Sequence, residues 1–245
     1  MSIGYYQLET GRVAAIEADC HFPPLSQALT EPNGFIAIGG DLSASRLLNA
    51  YSHGIFPWFN AGEPIMWWSP NPRMVLDPNQ LKISDSLKKT LKKKPFEIRF
   101  NTAFREVITA CSNSKRTNQD LTNQTVTSES NTWITKDIIE AYCELHQKSH
   151  AICMESWLDN ELVGACYGIK IGRMFFGESM FHTKTDASKV AFVNMVRYLQ
   201  TQEVGLIDCQ MNTPLLASFG AKEIAREEFL HQMLKLVKFD HDITE

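Results

Sequence analysis

The stretch from Glu161 to Gln210 most constrains what this chain can fold into. Leu162 to Gly168 and Met174 to Phe176 are short apolar runs rich in strand formers, and the second leads into Gly177-Glu178-Ser179-Met180-Phe181. Trp157-Leu158-Asp159-Asn160-Glu161 before them reads as a hairpin turn, because Asp and Asn tolerate positive φ. After them, Asp186 to Gln202 carries Val190, Phe192, Val193, Val196 and Leu199 as a helical stripe. Val204 to Asp208 then returns as a buried strand that ends in Cys209-Gln210. Hairpin, strand, helix and strand in that order predict one sheet with a cleft beside it.

Two polar signals lie inside this apolar core. Glu178 sits at a strand end, where a carboxylate is costly unless it is paired or faces a cleft. Asp208 and Gln210 are two apart on a strand, so the pleat predicts both side chains on one face. The plain structural alternative makes Glu178 a surface strand end and Asp208 a turn cap, and composition alone favours it.

At 245 residues the chain can form one large domain or two small ones. A net charge of −4 gives no overall attraction for nucleic acid, so any RNA contact must come from a local basic patch. The six cysteines have no CxxC spacing, which fits buried thiols in a reducing compartment better than a disulfide framework. The N-terminal residues lack a basic segment followed by an apolar run and no apolar run approaches membrane length, so a cytoplasmic location without membrane contact is expected.

Residues 1–35 are irregular and proline-punctuated; Phe35 to Ile38 is a strand, and Ser43 caps a helix from Ala44 to about Ser52 that Gly54 ends. The aromatic cluster that follows reads as the core of a small domain at Trp67 and Trp68. Trp58, beside Pro57 and a loop, is placed to offer a face to a ligand. Ser84 caps a helix with Leu87 and Leu91 on one side and Lys88, Lys89, Lys92 and Lys93 on the other. A solvated face steadied by Asp85 and a face for RNA phosphates are equally open readings of those lysines. Thr102 to Cys111 reads as a short helix, residues 112–131 as a mobile polar loop, and Thr135 as the cap of a helix bearing Ile138, Tyr142 and Leu145. His146 and His150 have metal-pair spacing without a third ligand and read as structural, so no metal site is expected.

Along almost its whole length the chain resembles the bacterial leucyl/phenylalanyl-tRNA–protein transferases. The resemblance rests on Glu31-Pro32-Asn33-Gly34, Gly39-Gly40-Asp41-Leu42, Gly54-Ile55-Phe56-Pro57-Trp58-Phe59, Trp67-Trp68-Ser69-Pro70 with Pro72-Arg73, Thr132-Trp133-Ile134-Thr135, Gly177-Glu178-Ser179-Met180-Phe181, Ala187-Ser188-Lys189 and Ile207-Asp208-Cys209-Gln210. It implies an α+β chain: a small N-terminal α/β domain over 1–80 joined to an acetyltransferase-like (GNAT-related) catalytic domain over 81–245. It implies an enzyme without a cofactor that moves Leu, Phe or Met from leucyl-, phenylalanyl- or methionyl-tRNA onto proteins with N-terminal Arg or Lys, marking them for degradation. By the same resemblance Glu178 faces the acceptor's side chain, and Cys166, Phe175, Phe192 and Met195 line the aminoacyl pocket. Trp58 and Trp133 stand near the terminal adenosine. Cys166 and Met195 occupy positions where relatives carry Met and Phe, and Leu215 replaces a His.

On chemical grounds Gln210 can accept a hydrogen bond from the attacking amine, and Asp208 can hold that arrangement. Donation by tRNA makes Lys88, Lys89, Lys92 and Lys93 the candidate contact to the tRNA body. Two other readings compete. A CoA-dependent acetyltransferase needs a glycine-rich turn after the third strand, and His182 to Lys189 contains no glycine. A non-catalytic tRNA-binding module leaves Glu178, Asp208 and Gln210 idle.

Overall fold

The computed structural model describes residues 4–17, 21–114 and 132–237. Among them two sheets and seven α-helices form a mixed α+β molecule. The smaller sheet takes β1 (Gly4–Leu8), β2 (Gly11–Ile16), β3 (Phe35–Gly39), β4 (Phe56–Pro57) and β5 (Met66–Trp68), in the order β1-β2-β3-β5-β4. Helix α1 (Ala44–Ser52) leaves β3 through Ser43, whose hydroxyl accepts the Arg46 N–H as expected of an N-cap.

The larger sheet collects β6 (Arg73–Leu76), β7 (Glu97–Phe100), β8 (Ala151–Leu158), β9 (Glu161–Ile171), β10 (Met174–His182), β11 (Leu206–Gln210) and β12 (Lys222–Ile224). Their order is β12-β6-β11-β10-β9-β8-β7. Around it lie α2 (Asp85–Lys93), α3 (Phe104–Asn113), α4 (Lys136–Gln147), α5 (Ala187–Thr201), α6 (Pro214–Ser218) and α7 (Arg226–Val237). Strand β6 belongs to this sheet although it lies before residue 80, so the two sheets divide the chain between β5 and β6.

The β8–β9 hairpin turns through Asp159 and Asn160 at φ 52° and 61°, the left-handed pair that a two-residue hairpin requires. Strand β10 pairs antiparallel with β9 and parallel with β11, and α5 makes the crossover. Helix α5 sits hard against β9 at Gly164, where a Cβ would come within 2.6 Å of the Ala187 side chain. One apolar core runs between the sheets and beneath α1, α3, α4 and α7; a second lies under α5 on the other face of the larger sheet.

Four expectations shift. The stretch 1–35, read as irregular, contains the β1–β2 hairpin, whose inner residues Val13, Ala14 and Ile16 are buried and so order it against the smaller sheet. Helix α3 starts at Phe104 rather than Thr102, because the Thr102 and Ala103 N–H groups donate to buried Glu155 at 2.7 and 2.9 Å and stand outside the helix. Asp186 is the left-handed N-cap of α5 and not its first turn. Ser112 and Asn113 finish α3, and most of the segment read as a mobile loop lies outside the described residues. The five cysteines among the described residues are all buried free thiols. His146 turns its Nδ1 to the Ala151 carbonyl at 2.8 Å, a structural role as expected. No helix among the described residues is long and apolar enough to cross a membrane.

Candidate active site

A cavity of about 650 Å³ opens where β10 and β11 part company. Its polar end is built around Glu178. One carboxylate oxygen accepts from the Tyr51 hydroxyl at 2.8 Å and from the Gln210 amide nitrogen at 3.0 Å; the other accepts from the Tyr142 hydroxyl at 3.2 Å. The two tyrosine oxygens also stand within hydrogen-bonding distance of each other, so the phenol protons are shared among this contact and Glu178. Burial pushes the Glu178 carboxyl up to about 8, against the stabilising tyrosine hydrogen bonds. Burial and the neighbouring carboxylate also raise both phenols well above their ordinary value, so they remain donors at neutral pH.

Asp208 does not share the cavity face with Gln210. A bulge between Asp208 and Gln210 breaks the pleat, and Gln210 adopts a left-handed φ of 61°. The Gln210 side chain lines the cavity, whereas Asp208 is fully buried behind it. There Asp208 receives the Arg73 guanidinium through two bonds of 2.8 and 2.7 Å, and one of its oxygens also takes the Gln210 main-chain N–H at 2.9 Å. Rings of Phe56 and Phe229 lie over Arg73 at 4.8 and 4.7 Å from its guanidinium carbon. The pair therefore holds the bulge that aims Gln210 at Glu178, and Asp208 acts through position rather than contact. With its amide nitrogen donating to Glu178, Gln210 still has its amide oxygen as an acceptor.

The apolar end gathers Cys166, Phe175 and Phe192 with Ile207, Cys209 and Leu215. Met195 departs from expectation. It is fully buried in the core under α5 and is not among the residues that line the cavity. Trp58 and Trp133 both face the cavity. The Trp68 indole holds Trp58 in place, donating to its carbonyl at 2.7 Å and meeting its ring edge-on at 5.6 Å. Trp67 is fully buried, as the aromatic-core reading required.

Lys88, Lys89, Lys92 and Lys93 are exposed along α2. Lys88 is partly satisfied by Asp85 at 2.9 Å, the self-contained pairing weighed from sequence. A small cleft lined by Lys82, Ser84 and Leu87 shares Lys189 and Leu215 with the main cavity, so the start of α2 adjoins it.

Sequence reasoning missed Arg73, Tyr51 and Tyr142 as parts of this site. A charged residue within the apolar run Arg73-Met74-Val75-Leu76 was one available signal, since it demands an opposite charge on a neighbouring strand. Both tyrosines merged into helical apolar stripes. Only their buried hydroxyls, which need partners, set them apart.

The model for the leucyl/phenylalanyl-tRNA protein transferase family matches residues 75–234, and that for its N-terminal domain matches residues 40–71. Similar relatives carrying that same transferase name include one from Chromobacterium violaceum, 54% identical over 217 residues, covering 89% of this chain and 88% of that one. Another, from Nitrosomonas europaea, is 51% identical over 224 residues, 91% of this chain and 90% of its own. Among solved structures, L-PGS from Bacillus licheniformis aligns over 84% of this chain and 63% of that chain at 10% identity and a TM-score of 0.35, too loosely to bear on the fold. The chain belongs to the leucyl/phenylalanyl-tRNA–protein transferase family.

Proposed function

We propose that this aminoacyltransferase moves Leu, Phe or Met from aminoacyl-tRNA to the N-terminal Arg or Lys of cytoplasmic proteins and thereby marks them for degradation. The observation that carries the reading is one cavity with a carboxylate–glutamine pair at one end and an apolar wall with two tryptophans at the other. The apolar wall suits an unbranched-at-Cβ donor side chain, and the tryptophans suit the terminal adenosine. Glu178 suits a cationic acceptor side chain. The order β8–β9–β10, α5, β11 is that expected of an acetyltransferase-like domain, and we assign the larger sheet to that class.

In the reaction the acceptor's neutral α-amine attacks the ester carbonyl. An amide bond forms, the bond to the ribose oxygen breaks, and the amine proton passes to the departing ribose hydroxyl. Aminolysis of an ester is downhill, so the chain contributes chiefly position. Gln210 accepts a hydrogen bond from the amine and aims its lone pair, while Asp208 and Arg73 keep Gln210 in its left-handed turn. The exposed lysines of α2, a helix whose start adjoins the cavity, suit the phosphates of the tRNA body.

The test is transfer of labelled Leu or Phe from charged tRNA to a peptide with N-terminal Arg. Label in the peptide, with free tRNA released in equal amount, is the expected result. Labelled peptide that forms only with acetyl-CoA as donor would instead identify an acetyltransferase.

A further inference from the structure

Strand β10 is longer than β11, its parallel neighbour. Met174 to Phe176 pair with Leu206 to Asp208, but β11 then turns away through the left-handed Gln210, while β10 stays paired to β9 as far as His182 and Gly164. No strand among the described residues pairs with the β11 side of β10 beyond Phe176. All six residues from Gly177 to His182 line the cavity. Side chains facing one way would contribute only every second residue, so the cavity runs along the strand's edge.

The ladder shows which main-chain groups this edge presents. Thr183 donates to the Val163 carbonyl at 2.8 Å, so Thr183 lies in a hydrogen-bonded position against β9. Hydrogen-bonded positions alternate in an antiparallel pair, which places Phe181 and Ser179 on the β9 side. Met180 and His182 therefore turn their N–H and C=O groups into the cavity. Glu178 begins the same edge, and exposed His182 ends it at the surface.

We infer that this open edge binds the acceptor polypeptide as an added strand, parallel to β10, where β11 would otherwise have continued. The inference rests on the transferase reading above and deepens it. The acceptor's first residue lies at Glu178 and Gln210, and its next residues run along Met180 and His182 toward solvent. Glu178 to His182 is four steps of strand, roughly 13 Å, so acceptor residues two to five cover this edge. Main-chain pairing supplies affinity without reading side chains. Such a site selects the N-terminal residue through Glu178 and accepts any sequence that can extend behind it.

The test uses the wild-type enzyme, charged Phe-tRNA, and hexapeptide acceptors with Arg first and Ala elsewhere. Each peptide carries one amide-to-ester replacement between residues two and six, which deletes a single N–H without adding bulk. We expect kcat/KM to fall about three- to tenfold at alternate positions within residues two to five, and to hold at the positions between and at residue six. Exchanging Ala for Ser or Val at the sensitive positions leaves it within about twofold on the same hydrogen-bond scale. Equal loss at every position, or none at any, overturns the added strand while leaving the transferase reading intact. No transfer to any Arg peptide, the parent included, overturns both.

Discussion

On the proposed reading, acceptor choice turns on Glu178. Its carboxyl stands at about 8 because burial outweighs the hydrogen bonds from Tyr51 and Tyr142. Before an acceptor binds it is thus largely neutral at pH 7, and a guanidinium or ammonium entering beside it favours the ionised form. Ionisation gets easier as pH rises toward 8, so the preference for an Arg over an Ala acceptor should climb through that range and level off above it. The α-amine titrates in both acceptors and cancels from the ratio. A ratio of specificity constants that stays flat between pH 6 and about 9 in wild type would rule this out, given the usual carboxylate range it would imply. Glu178→Gln should lose well over tenfold on Arg and Lys, since truncating one partner of a buried charge pair costs ~2–5 kcal/mol. It should lose far less on Ala, and its Arg-to-Ala ratio should no longer depend on pH. Equal loss on all three acceptors would assign Glu178 to the fold or the chemistry instead.

At the scale of elements, α2 illustrates a division of labour within one helix. Leu87 is buried and Thr90 bonds Asp186 at 3.0 Å, which docks the helix on the start of α5. The opposite face keeps its lysines in solvent, where a surface pair such as Lys88 with Asp85 contributes little to stability. Changing Lys88, Lys89, Lys92 and Lys93 together to Ala should therefore leave the melting temperature nearly unchanged. It should weaken tRNA binding and reduce the slope of log affinity against log salt by up to about 3–4 units, roughly 0.9 for each phosphate no longer neutralised. Transfer from an aminoacyl-adenosine, which has no tRNA body, should hold. If the minimal donor suffers as much as tRNA, the lysines serve the fold.

At the scale of the whole molecule, a buried charge pair stands where the two sheets and α7 meet. Arg73 of the larger sheet lies between Phe56 of the smaller one and Phe229 of α7, and both it and Asp208 are fully buried. Arg73→Met alone leaves an unpaired buried carboxylate and should cost ~3–5 kcal/mol in denaturant unfolding. Adding Asp208→Asn should recover much of that loss, because the stranded charge is gone. Activity should stay low in the double variant, since the Gln210 turn is then without its anchoring ion pair. A double variant as unstable as Arg73→Met would show that packing around the guanidinium, not charge pairing, sets the penalty.

Local chemistry alone determined a good part of this protein. The Asp159-Asn160 turn, the Ser43, Ser84 and Thr135 caps and the β9–β10–α5–β11 order are short-range consequences of residue type and period, so they were legible residue by residue. The motif text likewise carried the family. Tertiary structure decided what depends on partners distant in the chain. Arg73 and Asp208 are 135 residues apart, and Tyr51 and Glu178 are 127 apart, so neither pairing leaves a periodic trace in sequence. The bulge that separates Asp208 from Gln210 overrode the simple pleat because Arg73 captures the Asp208 carboxylate and the Gln210 N–H follows it. Met195 went into the core because the packing of α5, rather than its place in a motif, decides which side of a buried helix meets the cavity. The open edge of β10 was equally hidden, because a strand's own residues do not reveal where its neighbour turns away.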